Sequence, residues 1–117
     1  MNGYIKIHRK MLEWEWYTDT NTFRLFFHCI FSACYKDVKW RGMIIKRGTF
    51  ITSLQKLSDE TGLSVRQIRT CLKNLETTNE LTSKRSTKGT VIQVINYNKY
   101  QDTTNEATNE RQTSDKY

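Results

Sequence analysis

The sequence predicts an α+β fold, mostly helical, on three observations. Residues 53–78 carry two short helical patterns, each opened by a hydroxyl-bearing cap and separated by a turn at Gly62. Residues 81–95 carry two extended runs around a basic, glycine-containing turn. Ahead of both, a longer helical pattern starts at Thr22, with large apolar residues at three- and four-residue steps. Two capped helices joined by a tight turn and followed by a hairpin form the pattern of a winged helix-turn-helix with a small antiparallel sheet, to which the earlier residues add an N-terminal strand and helix segment.

Residues 1–7 alternate loosely, with Ile5 and Ile7 on one side of an extended segment. Residues 8–16 follow as a short helix in which Leu12 and Trp16, one turn apart, are expected inward and Arg9, Lys10, Glu13 and Glu15 outward. Trp14 is expected partly exposed. An exposed aromatic side chain invites base stacking, but tryptophan in a small domain more often belongs to a core or an interface. From Thr22, the residues Phe23, Phe26, Phe27, Ile30, Phe31 and Cys34 form a wide apolar stripe, and Arg24, His28, Ser32 and Lys36 a polar one. The aromatic content exceeds what a three-helix core requires, so part of that stripe, with Trp14 or Trp16, is a candidate surface for a protein partner. Residues 49–52 read as a short strand that joins the later hairpin in a three-stranded sheet, and residues 43–45 as extended.

In Thr52-Ser53-Leu54-Gln55 either hydroxyl can cap the next helix, with Gln55 closing a capping box on Thr52. Leu54 and Leu57 give that helix one apolar side, while Lys56, Asp59 and Glu60 stay wet. Gly62 ends it in the left-handed conformation, and Leu63 turns into the core. Ser64 caps the second helix, residues 64–78, with Gln67 as its reciprocal partner. Val65, Ile68, Cys71, Leu72 and Leu75 point inward. That leaves Arg66, Gln67, Arg69, Thr70, Lys73 and Asn74 outward, a row of donors and amides suited to base edges and phosphates. A solvated helix face is the plainer reading of the same residues.

The runs 81–85 and 91–95 read as the two strands of a hairpin, with Gly89 at a positive φ, Lys88 at the tip and Lys84 and Arg85 on the first strand. Such a basic tip suits phosphate, and edge lysines also discourage strand-to-strand aggregation. The candidate DNA-binding residues are therefore Ser64, Arg66, Gln67, Arg69, Thr70, Lys73, Asn74, Lys84, Arg85 and Lys88. Arg66, Gln67, Arg69 and Thr70 are placed to read bases, and Lys73, Lys84, Arg85 and Lys88 to hold the backbone.

Longer strings carry a family likeness. Gly3-Tyr4-Ile5-Lys6-Ile7-His8-Arg9-Lys10 with the Trp-rich stretch after it, Asn21-Thr22-Phe23-Arg24-Leu25-Phe26, Trp40-Arg41-Gly42, Lys46-Arg47-Gly48-Thr49-Phe50-Ile51-Thr52-Ser53, Glu60-Thr61-Gly62-Leu63-Ser64 and Tyr97-Asn98-Lys99-Tyr100-Gln101 span residues 3–101. In these the chain resembles the N-terminal domain of phage and prophage replisome-organiser proteins of the DnaD-like group. The resemblance implies initiation of phage DNA replication by binding origin DNA, with a replicative helicase or its loader as partner, and self-association into a homo-oligomer. It also implies a division into a winged-helix domain, 1–101, and a polar tail or linker, 102–117, toward a helical C-terminal domain that this sequence, ending at Tyr117, does not include. A transcriptional regulator and a protein–protein assembly module are the alternative readings of the same domain.

Composition sets the outer bounds. A chain of 117 residues is one domain's worth, able to bury a core without staples. Residues 1–100 carry 17 basic and eight acidic side chains and residues 101–117 two and four, so a surplus of +9 sits on the expected domain and −2 on the tail. A surplus of that sign favours double-stranded DNA over a neutral partner. No apolar run reaches membrane-spanning length, and no signal peptide or lipidation motif is present, which points to a cytoplasmic protein with no membrane partner. Three cysteines, Cys29, Cys34 and Cys71, cannot all pair and fit reduced thiols. His8 and His28 lack ligand spacing for a metal, and neither a phosphate-cradling glycine loop nor a nucleophile elbow is found. No cofactor, no metal and no catalysis is expected.

Overall fold

In a computed structural model that describes residues 4–101, Ile5 and Gln101 form an antiparallel bridge and the Lys6 amide donates to the Tyr100 carbonyl at 2.7 Å. The two ends of the described chain therefore lie side by side. The expected tail, 102–117, falls outside the described residues.

The helix expected over residues 8–16 is shorter and tighter, a single 3₁₀ turn over Arg9–Glu13. Leu12 does not point inward; it is 58% exposed, and Met11, Trp14 and Trp16 lie against the core instead. The cause is geometric, because a 3₁₀ turn advances about 120° per residue, so the four-residue spacing that pairs Leu12 with Trp16 on an α-helix has no meaning here. Two indole N–H groups anchor the segment. Trp14 Nε1 donates to Glu80 Oε2 and Trp16 Nε1 to Thr78 Oγ1, both at 2.9 Å. The Trp14 ring centroid lies 5.0 Å from that of Phe26, which makes the residue an anchor rather than a stacking platform.

Asp19 accepts from the Thr22 amide and opens α1, Thr20–Ser32. Its buried face is Thr22, Leu25, Phe26, Cys29 and Ile30, rotated from the expected stripe. Phe23 and Phe27 are half-buried, Phe31 is 65% exposed, and Cys34 lies past the helix end at Ala33. Of the expected polar row, Arg24 and His28 reach one later segment: Arg24 Nε donates to the Thr61 carbonyl, and His28 Nε2 lies 2.9 Å from Glu60 Oε1, whereas Lys36 lies past the helix end.

Two strands follow, β1 (Val38–Trp40) and β2 (Met43–Ile45), paired antiparallel around Arg41-Gly42. β3 (Thr49–Thr52) leads into α2 (Leu54–Thr61), capped by Ser53. Thr52 is held in β3 opposite Thr90, so it cannot serve as the cap, and Gln55 donates to Asp59 Oδ1 instead of closing a box. Gly62 takes φ 83° at the end of α2. Ser64 opens α3 (Val65–Thr77) with the expected reciprocal box on Gln67. Then β4 (Leu81–Ser86) and β5 (Gly89–Val94) complete a three-stranded antiparallel sheet in the order β3-β5-β4.

The fold is thus α+β, with three α-helices and two small antiparallel sheets among the described residues. α3 packs on both α1 and α2, and its inner residues Ile68, Cys71, Leu72 and Leu75 join Leu25, Phe26, Cys29, Leu57, Phe50 and Ile92 in one core. Burying such side chains removes about 1.5–3 kcal/mol worth of apolar exposure each. No helix among the described residues is long and apolar enough to cross a membrane.

Candidate nucleic-acid interface

α3 presents its two faces unequally. Arg66, Gln67, Arg69, Thr70 and Lys73 are all exposed, and no acidic side chain lies in the first turn. The buried residues behind them fix the helix rigidly, which is what lets an exposed row keep its spacing. Among the described residues the ion pairs are His28–Glu60 and Lys46–Asp37, so no ion pair neutralises the α3 cations.

Three expected α3 contacts need revision or refinement. Asn74 is half-buried, and its Nδ2 donates to Thr22 Oγ1 at 3.1 Å, so it ties α3 to α1 rather than facing outward. Ser64 Oγ accepts from the Gln67 amide at 3.1 Å, and Gln67 Oε1 accepts from the Ser64 amide at 2.9 Å. While that box is intact the Gln67 side chain is held back against the helix N-terminus, and extending both its oxygen and its nitrogen to one adenine requires the box to open.

The β4–β5 hairpin carries the remaining candidates. Ser86 and Gly89 flank a two-residue turn, with Lys88 at the tip. Gly89 sits at φ 129°, and a Cβ there would come 2.9 Å from the Thr52 carbonyl, so glycine is required on both counts. Along β4 the side chains alternate. Arg85 stands opposite Thr90, on the face that holds Ile92 and Val94, whereas Lys84 stands opposite Val91 on the other face. Arg85 therefore lies on the side of the helices. Lys84 does not; it lines a groove of about 370 Å³ with Met43, Ile44, Lys46, Ile51 and Val91, beneath the β1–β2 hairpin.

The ten expected residues thus separate into groups. Arg66, Arg69, Thr70 and Lys73 share one exposed helix face; Ser64 and Gln67 hold its first turn; Arg85 and Lys88 belong to the adjoining hairpin; Asn74 and Lys84 face elsewhere. Arg47 has a structural role, its Nε donating to Asn98 Oδ1 at 2.9 Å and its guanidinium lying over the Tyr97 ring and reaching the Tyr35 carbonyl.

Burial pushes all three thiols up: Cys29 to about 12, and Cys34 and Cys71 in the same direction. Thiols so shifted are poor nucleophiles. A larger cleft of about 700 Å³ lies between the N-terminal segment and α1, lined by Ile7, Met11, Leu12, Tyr17, Phe23 and Phe27, and none of the ten candidate residues borders it. Compared with known proteins, the chain matches no family model, no curated protein and no solved structure.

Proposed function

We propose that α2, the turn at Gly62, α3 and the β4–β5 hairpin form a winged helix-turn-helix that binds duplex DNA. α3 enters the major groove, Arg66, Arg69 and Thr70 address base edges, and Lys73, Arg85 and Lys88 hold phosphates. The observation that carries this reading is the row of exposed cations on α3, backed by a buried opposite face and paired with no carboxylate among the described residues. The surplus of positive charge supports it. The resemblance to replisome-organiser N-terminal domains assigns the binding to initiation of phage or prophage DNA replication, with a helicase or helicase loader as the downstream partner; transcriptional regulation is the variant that shares the same chemistry.

Selection from random duplexes followed by fluorescence anisotropy tests the reading. A defined motif should emerge, and with at least three phosphate contacts log affinity should fall against log salt with a slope of about −3 or steeper. A slope near zero, or recovery of no motif, would overturn it.

One observation favours a second reading as an assembly module. Ile7, Leu12, Tyr17 and Phe31 are exposed beside half-buried Phe23 and Phe27, a contiguous apolar surface of the kind that contacts protein.

A further inference from the structure

The turn between β1 and β2 lies against the tip of the β4–β5 hairpin, although 47 residues separate them: Lys88 Nζ donates to the Arg41 carbonyl at 2.9 Å. Arg41 and Gly42 have φ of 48° and 78°, so both central residues of this tight turn are left-handed. For arginine that conformation is disfavoured, and a non-glycine residue kept there is a reason to look for a role. The Arg41 guanidinium lies 4.9 Å from the centre of the Trp40 ring, a contact that restricts a long side chain otherwise free to wander. Lys84 approaches from the sheet below, on the face that the β1–β2 hairpin overhangs. Arg41, Lys84 and Lys88 are exposed, and among the described residues none enters an ion pair with a carboxylate. Lys88 touches the Arg41 backbone and Lys84 lines the groove under the same hairpin, so these cations border one side of the sheet, where a passing phosphate is attracted by each.

We propose that Arg41 and Lys84 form a second phosphodiester-binding surface, continuing outward from Lys88 at the hairpin tip, that holds the DNA backbone beyond the stretch read by α3. The proposal rests on the DNA-binding reading and extends its footprint to a face that the helix does not reach. Trp40 positions Arg41 and reports on it. Because the contacts are to phosphates, they add affinity and salt dependence without base preference.

The test compares the full chain with the double variant Arg41→Asn, Lys84→Gln on the selected duplex. Asn-Gly is the favoured pair for such a turn, so the hairpin is kept while the charge is lost. Affinity at low salt should fall about three- to tenfold, and the salt slope should flatten by about 2, near 0.9 for each phosphate contact. Base preference should stay as it was. Arg41→Lys should restore most of the slope, and tryptophan emission should change on binding in the parent but not in Trp40→Phe. Unchanged slope in a double variant that still binds overturns this proposal alone. Failure of the unsubstituted chain to bind duplex overturns the proposed function as well.

Discussion

Lys84 and Arg85 are sequence neighbours that stand on opposite faces of one strand, Lys84 across from Val91 and Arg85 across from Thr90. Arg85 shares its face with the core residues Ile92 and Val94, and so with the helices packed there. Under the proposed DNA-binding reading, the two charges reach different parts of the duplex. In hydroxyl-radical footprints, Arg85→Ala is expected to remove protection next to the groove that α3 occupies, and Lys84→Ala protection at a separate stretch. Loss at the same phosphates in both variants would contradict the two-faced arrangement.

Asn74 separates stability from binding. Its amide donates to the hydroxyl of Thr22, which is fully buried, so truncation leaves an acceptor without its partner inside the helix interface. Asn74→Ala is expected to cost about 1–2 kcal/mol, or a fall in melting temperature of roughly 4–8 °C per kcal/mol for a domain of this size. Duplex affinity should be unchanged. A variant with parental stability and weakened binding would return Asn74 to the outward row.

What could be read from the sequence was local. The box between Ser64 and Gln67, the left-handed stop at Gly62 and the positive φ at Gly89 each depend on residues within a few positions, and the structure has all three. What escaped depended on partners far along the chain. Asn74 and Lys73 look alike on a helical pattern until Thr22 is seen 52 residues away. Lys84 and Arg85 look alike until register assigns their faces. β1 escaped because Val38-Lys39-Trp40 is too short for alternation to register. The buried face of α1 escaped for another reason: its aromatic residues outweighed Leu25 and Cys29 in the pattern, although Phe31 is left exposed.

Two glycines at similar φ should respond differently to the same change. Gly62, at 83°, has open space where a Cβ would go, so Gly62→Ala carries only the left-handed penalty, about 1–2 kcal/mol. Gly48, at 81°, would place a Cβ 2.9 Å from Tyr97 Cβ and 3.1 Å from Cγ. Tyr97 is buried and its hydroxyl donates to Gln101 Oε1 at 2.6 Å, so it cannot easily give way. Gly48→Ala is expected to be clearly the more destabilising in urea melts, and equal midpoints for the two variants would refute the steric argument.

Cys29 sets an alkaline limit on the core. Burial raises its thiol from 9.0 to about 12, so the unfolded chain releases this proton first as pH rises. The stability it contributes is complete below pH 9 and is lost between pH 9 and about 12. In that window the slope approaches about 1.4 kcal/mol per pH unit. Cys71, Cys34 and Tyr97 are also raised by burial and add to the total, so the informative quantity is the difference from Cys29→Ala. The variant should start lower at neutral pH, from the lost packing, and converge on the parent as pH climbs. Parallel curves would show that Cys29 keeps its ordinary ionisation.

The apolar surface around Leu12 and Phe31 yields a prediction independent of DNA. Leu12 sits on a 3₁₀ turn and Phe31 near the end of α1, both largely exposed, with Phe27 and Phe23 continuing the row inward. None of the α3 cations borders the cleft there, so assembly and DNA binding are expected to be separable. Under the assembly reading, light scattering on a sizing column shows mass rising with concentration, and Leu12→Gln with Phe31→Gln abolishes the rise while leaving duplex anisotropy intact. Exposed positions tolerate such changes at a cost within about 0.5 kcal/mol, so folding is preserved. A monomer across a wide concentration range would end the case for self-assembly through this face.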